Sequence, residues 1–247
     1  MDVIAGYGIA AVLAALAAAF GSAFVRGLTG FGMAILIVPI LALALSPVHA
    51  VLVTNFLSVF IGVSEIRRLL REAERSAWFI IAMVAVTTPV GLYALSLTTP
   101  AIARVVIAFI ALSAFVAILL PRRRAAHHHP ATTGGVGLLS GLMTGYAGMP
   151  GPPVVPYYVG RAIPRETAKA SMMLIFTIAA GAGLVSGAAL GILAWRLPLL
   201  AALLFPAVLL GNWLGDRAAG QIGDALWRGV VGVILGGAAL AALLRLL

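Results

Sequence analysis

Residues 134–159 read GGVGLLSGLMTGYAGMPGPPVVPYYV, an apolar stretch that glycine and proline interrupt at residues 148–153. As one continuous helix it would be about 39 Å long, which is too short to cross twice a bilayer core of about 30 Å. Glycine permits a positive φ, and proline cannot donate the next hydrogen bond of a helix. The stretch therefore predicts a re-entrant hairpin of two half-helices that enters the membrane, turns near its middle and returns.

The composition of the whole chain is that of a membrane protein. Of its 247 residues, 63% are hydrophobic and 9% are charged, whereas a soluble domain has about 45–50% apolar and about 25% charged residues. Residues 3–24, 78–97 and 105–120 contain no charged side chain, and each is near the roughly 20 residues that span a bilayer as a helix. We predict an all-α polytopic membrane protein with about eight to ten membrane segments, some of them broken or re-entrant half-helices.

Charge and cysteine content exclude several classes of protein. The net charge is +9, but most of the basic residues lie in short connections between apolar spans, which indicates membrane orientation and not nucleic-acid binding. The chain has no cysteine, so disulfides and thiolate chemistry are excluded. Because the spans offer neither a carboxylate pair nor a Glu–His arrangement, we predict no catalytic residue, metal site, cofactor or enzymatic activity. The predicted partners are the lipid bilayer and a small solute, and a homo-oligomer is left open.

The two halves of the chain look alike, which indicates an internal duplication. The segment TGFG at residues 29–32 corresponds to TGYA at residues 144–147. Four further landmarks recur 117 residues later: Pro39 with Pro156, Pro47 with Pro164, Trp78 with Trp195, and Pro89 with Pro206. We predict a first membrane repeat at residues 1–120, a basic cytoplasmic linker at residues 121–133 and a second membrane repeat at residues 134–247, which together form one membrane domain.

Basic residues predict how the repeats are oriented, because Lys and Arg are retained on the cytoplasmic side. If the connection at residues 65–75 is inside and residues 134–159 form a hairpin, every Lys and Arg except Arg104, Arg196 and Arg245 falls inside. A single crossing of residues 134–159 would distribute the charges more evenly. The hairpin arrangement makes the repeats inverted copies, a frequent transporter architecture, in a multi-pass protein of the cell inner (cytoplasmic) membrane.

A candidate site lies where the two repeats are interrupted. The counterpart of the break at residues 148–153 is the segment RGLTGFG at residues 26–32, and paired interruptions of this kind mark transporter binding sites. A half-helix that begins at such a break directs unpaired N–H groups and a positive dipole end into the cavity, which favours an anion. The predicted substrate-binding residues are Arg26, Thr29, Gly30, Phe31, Gly32, Asn55, Thr144, Gly145, Tyr146, Gly148, Met149 and Gly151.

Each of these residues also has a structural interpretation. The glycines can serve close helix packing, and Arg26 can mark the cytoplasmic end of the first helix instead of a position inside the membrane. Asn55 and Asn212 can form interhelical hydrogen bonds. Glu65 can couple transport to protons only if it is buried.

The motifs carry a family resemblance. The segment GLTGFG at residues 27–32, with Pro39, Ser46-Pro47 and Ala50, recurs as GLMTGYAG at residues 141–148 with Pro156, Pro164 and Ala168. This pattern resembles the TauE/SafE sulfite exporter family over nearly the whole chain. Residues 31–34 and 149–153 replace the glycine-rich run that is usual in that family, so they are candidate pocket positions.

The resemblance implies a bacterial inner-membrane permease for sulfite, for sulfonates such as sulfoacetate, or for other small organic anions. Export is favoured because expelling one negative charge from a negative interior gains about 2.3 kcal/mol per 100 mV. Proton-coupled uptake of an organosulfonate or carboxylate and a non-transport membrane scaffold subunit are the alternatives.

Overall fold

A computed structural model describes residues 9–119 and 129–218. These two ranges form nine α-helices joined by short connections, so the prediction of an all-α protein is confirmed for them. The helices are α1 (Ile9–Thr29), α2 (Met33–Ala44), α3 (Pro47–Glu72), α4 (Arg75–Leu97), α5 (Pro100–Leu119), α6 (Pro130–Ala147), α7 (Gly151–Val159), α8 (Arg165–Ala189) and α9 (Arg196–Arg217). Most of the predicted basic linker, and the part of the second repeat after residue 218, lie outside the described residues.

Five of these helices are long and apolar enough to cross a membrane, which makes the chain a multi-pass membrane protein. The candidate spans are Val12–Thr29, Pro47–Glu72, Arg75–Leu97, Arg165–Ala189 and Arg196–Arg217. In contrast, α2 has 12 residues and α7 has 9, so neither reaches across a core of about 30 Å at 1.5 Å per residue. Each of these short helices directly follows an interruption of the chain.

The first interruption is shorter than the sequence predicts. Residues 26–29 belong to the last turn of α1, and only residues 30–32 are non-helical. The helix continues to Thr29 because the N–H of Gly30 still donates to the carbonyl of Arg26 at 2.6 Å. It ends there because Gly30 and Gly32 take φ values of 84° and 97°, which side chains with a Cβ rarely adopt.

The second interruption is also shorter than predicted, and it covers residues 148–150. Gly148 has φ 66° and its N–H donates to the carbonyl of Thr144 at 2.8 Å, which closes the end of α6 in the usual left-handed cap. Helix α7 already begins at Gly151, so Pro152 and Pro153 lie in its first turn. Proline is tolerated there because the first N–H groups of a helix have no intrahelical partner.

Helix pairs from opposite halves of the chain build the bundle. Helix α1 packs along α9, α4 packs along α6, and the largely buried α3 and α8 pack against each other between them. Glycine makes the outer pairs close: a Cβ on Gly145 would overlap the Thr88 carbonyl of α4, and a Cβ on Gly215 would overlap the Phe24 carbonyl of α1. Small residues at such contacts let helix backbones approach within a membrane.

An arginine holds the C-terminal end of each short helix. For α2, the Nε of Arg104 donates to the Ala42 carbonyl at 2.6 Å. For α7, Arg161 follows the helix end, pairs with Glu74 at the start of α4, and donates to the Tyr157 hydroxyl at 3.0 Å. Both short helices are therefore tied to neighbouring helices at their far ends, while their N-termini face the centre of the bundle.

Candidate functional site

The two interruptions meet at a cavity between α3 and α8. Its volume is about 40 Å³, against roughly 10–15 Å³ for one water molecule. Seven of the predicted site residues line it: Arg26, Phe31, Gly32, Asn55, Gly148, Met149 and Gly151. Interruptions that are far apart in the sequence therefore contribute to one cavity.

Arg26 is buried and shared between the two halves of the protein. Its side chain is 9% exposed, and its Nη1 donates to Asn212 Oδ1 at 2.6 Å and lies 3.4 Å from Glu65 Oε1. Both contacts use the same nitrogen, so neither engages Nη2 or Nε. A buried guanidinium with one polar and one more distant ionic partner can still bind a solute anion through those other nitrogens.

Glu65 links Arg26 to a second arginine. One carboxylate oxygen faces Arg26, and the other pairs with Arg68 on the same helix. The Glu65 side chain is 22% exposed, so the carboxylate is partly buried. The three residues together carry one net positive charge at the edge of the cavity.

Asn55 lines the cavity and carries an unpaired donor. The residue is 2% exposed, and its Nδ2 has no hydrogen-bond partner among the described residues. Because an unsatisfied buried polar group costs about 1–3 kcal/mol, a solute that bonded this nitrogen would remove that cost. It lies against α8, where a Cβ on Gly183 would overlap it.

Sequence reasoning missed Ser58, which also lines the cavity. It lies one helical turn after Asn55 on α3, so both side chains are on the same face. Its hydroxyl has no hydrogen-bond partner within residues 9–119 and 129–218, whereas Thr177 on the opposing α8 uses its hydroxyl to bond the Met173 carbonyl. The spacing of three between Asn55 and Ser58 in an apolar span is the signal that could have found Ser58.

The N-termini of the two short helices are not equivalent. Met33, Ala34 and Ile35 line the cavity, and the first N–H groups of a helix have no intrahelical partner. The next N–H, that of Leu36, is bonded to the Gly32 carbonyl at 3.2 Å. In α7, Pro152 and Pro153 have no N–H to offer. The two interruptions therefore offer different numbers of N–H donors, and α2 supplies most of them.

Five predicted residues lie away from the cavity lining, and two of them are threonines that bond the backbone. The Thr29 Oγ1 lies 2.9 Å from the carbonyl oxygens of both Val25 and Phe31, so its one proton can bond either of them, and it accepts from the Phe31 N–H at 3.3 Å. The Thr144 hydroxyl donates to the Ser140 carbonyl at 2.7 Å. Threonine in a helix commonly makes such bonds, so in this structure both hydroxyls bond the backbone near the end of their helices.

The other three residues contact neighbouring helices. A Cβ on Gly30 would lie 2.8 Å from the Cγ of Lys169, and Gly145 packs against α4. The Tyr146 hydroxyl donates to Thr98 Oγ1 at 3.3 Å. The position of Gly145 agrees with the alternative interpretation from the sequence, in which the glycines serve close helix packing.

A second and larger hollow adjoins the cavity and shares Arg26 and Met173 with it. Its volume is about 370 Å³, and its charged lining residues are Arg26, Glu65, Arg68, Lys169 and Asp216. Lys169 and Asp216 pair at 3.0 Å. We call this hollow the vestibule, and it lies at the end of the bundle where α3 ends and α4 begins.

At the end of the bundle where α3 begins and α4 ends, buried residues form a hydrophobic cluster that borders an apolar hollow of about 40 Å³. The fully or almost fully buried members of the cluster include Ile37, Leu52, Leu95 and Leu204. The cavity thus has a polar approach on the vestibule side and an apolar seal on the other side.

Comparison with known proteins agrees with the motifs. The model of the family described as Sulfite exporter TauE/SafE matches residues 14–242, a range that includes both interruptions and every cavity-lining residue named above. No curated protein and no solved structure matches the chain.

Proposed function

Because this chain belongs to the TauE/SafE sulfite exporter family, we propose that it is a secondary transporter that moves a small sulfur-containing or organic anion through the cavity between its two interruptions. The candidate substrates are sulfite and sulfonates such as sulfoacetate. The proposed location is the cell inner (cytoplasmic) membrane, with the vestibule on the cytoplasmic side.

The unpaired amide nitrogen of Asn55 is the observation that carries this proposal. Asn55 lines the cavity together with Arg26 and the start of α2, and each of these groups is a hydrogen-bond donor. Among the described residues that line the cavity there is no Asp or Glu. A site with a cation, an unpaired amide and a helix N-terminus is complementary to an anion.

The size of the cavity supports a small solute. A volume of about 40 Å³ exceeds the roughly 10–15 Å³ needed for one water by only a few times. An inorganic oxyanion or a short sulfonate fits this space, whereas aromatic and long-chain anions do not.

The helix packing supports alternating access by two inverted repeats. If the two halves are copies of one repeat, α1 corresponds to α6, α3 to α8 and α4 to α9. Under this correspondence the α1–α9 pair is equivalent to the α6–α4 pair. Both pairs occur in the structure, as expected for two related repeats. The glycine contacts make each pair a rigid unit. Movement of these units about the α3–α8 pair would open the apolar seal and close the vestibule, as expected for such architectures.

The vestibule supports export. It carries three basic and two acidic side chains, and a cleft of net positive charge raises the local concentration of anions. Outward movement of an anion is also downhill in a negative interior, by about 2.3 kcal/mol per charge per 100 mV.

Purified protein in liposomes tests the proposal. We expect saturable, protein-dependent flux of radiolabelled sulfite or methanesulfonate, driven by an imposed membrane potential, with the solute chemically unchanged. A thermal-shift screen should show stabilisation by these anions, because a ligand that binds the folded state raises its stability. Flux no higher than in empty liposomes, together with stabilisation by cations or neutral solutes alone, would exclude anion transport.

A further inference from the structure

We infer that the cavity accepts anions with one negative charge and rejects dianions, and that Glu65 sets this limit. The inference rests on the proposed function, because it concerns the charge of the transported solute.

The ionised groups around the cavity are few. Arg26 is the one charged side chain among the cavity-lining residues that the structure describes, and Glu65 lies 3.4 Å from its Nη1. The other oxygen of Glu65 pairs with Arg68, so these three residues sum to one positive charge. On the vestibule side, Lys169 and Asp216 pair at 3.0 Å and cancel.

Two more carboxylates lie near Arg68 but outside the cavity. Glu72 is 3.9 Å from the Arg68 Nη1 and 40% exposed, and Glu166 acts on Arg68 electrostatically. Exposed groups of this kind are screened by solvent. They therefore reduce the positive charge that the cavity senses and do not increase it.

The neutral donors do not change this charge balance. The N-terminus of α2 contributes the equivalent of about half a positive charge, whereas the Asn55 amide and the Ser58 hydroxyl contribute none. One negative charge in the cavity is thus compensated. A second would be buried without a partner, and an unpaired buried charge is strongly unfavourable.

The other walls of the cavity suit an uncharged end of the solute. Met149, Met173 and Phe176 line it, and none of these side chains can bond a second anionic group. The arrangement favours hydrogen sulfite, simple alkanesulfonates and short monocarboxylates. It disfavours sulfate, the sulfite dianion and sulfoacetate, which carries both a carboxylate and a sulfonate. The candidate substrates of the proposed function are thereby narrowed to the singly charged ones.

Methanesulfonate and sulfate are the matched pair of probes, because both are tetrahedral and differ by a methyl group in place of a charged oxygen. We expect wild-type proteoliposomes to take up methanesulfonate at least about tenfold faster than sulfate at neutral pH. Glu65→Gln removes a negative charge next to Arg26, so it should raise the sulfate-to-methanesulfonate ratio by about tenfold or more. Glu72→Gln is the control, since it removes a carboxylate that is 40% exposed and lines neither hollow, so solvent screening should leave the ratio unchanged.

The outcomes separate this inference from the proposed function. Equal wild-type rates for the two probes overturn the charge limit and leave anion transport standing, whereas flux of neither probe refutes both. A ratio that stays unchanged in a folded Glu65→Gln protein assigns the preference to the methyl group and overturns the role of Glu65.

A measurement on the wild type alone covers the case in which the variant does not fold. Inhibition of methanesulfonate flux by sulfite should weaken as rising pH converts hydrogen sulfite to the dianion. Inhibition that grows or stays constant over that pH range overturns the inference.

Discussion

The Nη1 of Arg26 lies 2.6 Å from the Oδ1 of Asn212, so the first half of the chain and the second hold one buried guanidinium together. Asn212 belongs to α9 and Arg26 to the last turn of α1. A Cβ on Gly27 would overlap the Asn212 carbonyl. The hydrogen bond of Arg26 therefore lies where the backbones of α1 and α9 are in close contact.

This hydrogen bond predicts the behaviour of two substitutions at residue 212. Asn212→Ala removes a bond to a charged donor and should lower the free energy of unfolding by about 1.5–3 kcal/mol, measured by denaturation in detergent. Asn212→Asp keeps a bond but adds a negative charge beside Arg26, so it should weaken anion binding more than Asn212→Ala does. Tighter binding of the anion by the Asp variant would contradict the assigned role of Arg26.

Asn55 and Thr144 should behave differently although both were predicted as site residues. Asn55→Leu keeps the branching and the number of side-chain non-hydrogen atoms but removes the unpaired donor, so we expect flux in liposomes to fall by about tenfold or more. Thr144→Val removes a hydroxyl that bonds the Ser140 carbonyl within α6. Its flux should stay within about twofold of wild type once the amount of folded protein is matched, and a loss equal to that of Asn55→Leu would place Thr144 at the site.

Two glycines of α6 provide a matched test of helix packing. Gly145→Ala forces a Cβ into the Thr88 carbonyl of α4 and should lower the free energy of unfolding by about 1–3 kcal/mol. Gly135→Ala meets no atom within 4 Å and should stabilise the helix by about 0.5–1 kcal/mol. Unfolding of both variants under the same conditions gives the comparison, and equal effects would argue against the close α4–α6 contact.

The pair between Arg161 and Glu74 should be strongly coupled. The Arg161 side chain is 10% exposed and the Glu74 side chain 22%, so removal of one partner leaves a largely buried charge, at a cost of about 3–5 kcal/mol. In a cycle of Glu74→Gln, Arg161→Gln and the double variant, the double variant should be less destabilised than the sum of the single ones. Additive effects would mean that the two side chains do not interact in the membrane-embedded protein.

The general architecture was predictable because it depends on local properties of the chain. Apolar segments of spanning length predict membrane helices wherever they occur, and glycine with proline predicts an interruption from backbone geometry alone. The extent of each interruption was not predictable, since Arg26 and Pro152 can stand inside or outside a helix according to which carbonyls and N–H groups find partners. The duplication, the orientation and the domain boundaries stay predictions.

The sequence by itself determined that this chain is a helical membrane protein and that its helices are interrupted near residues 30 and 148. Only the tertiary structure decided which polar groups meet at those interruptions. It brought Asn55, Ser58 and Arg26 to one cavity and turned Thr29, Thr144 and Gly145 to backbone bonds and helix contacts. The physical reason is that a side chain in an apolar span can satisfy its polar atoms on its own helix, on a neighbouring helix or on a solute, and only the packing of the neighbouring helices selects among them.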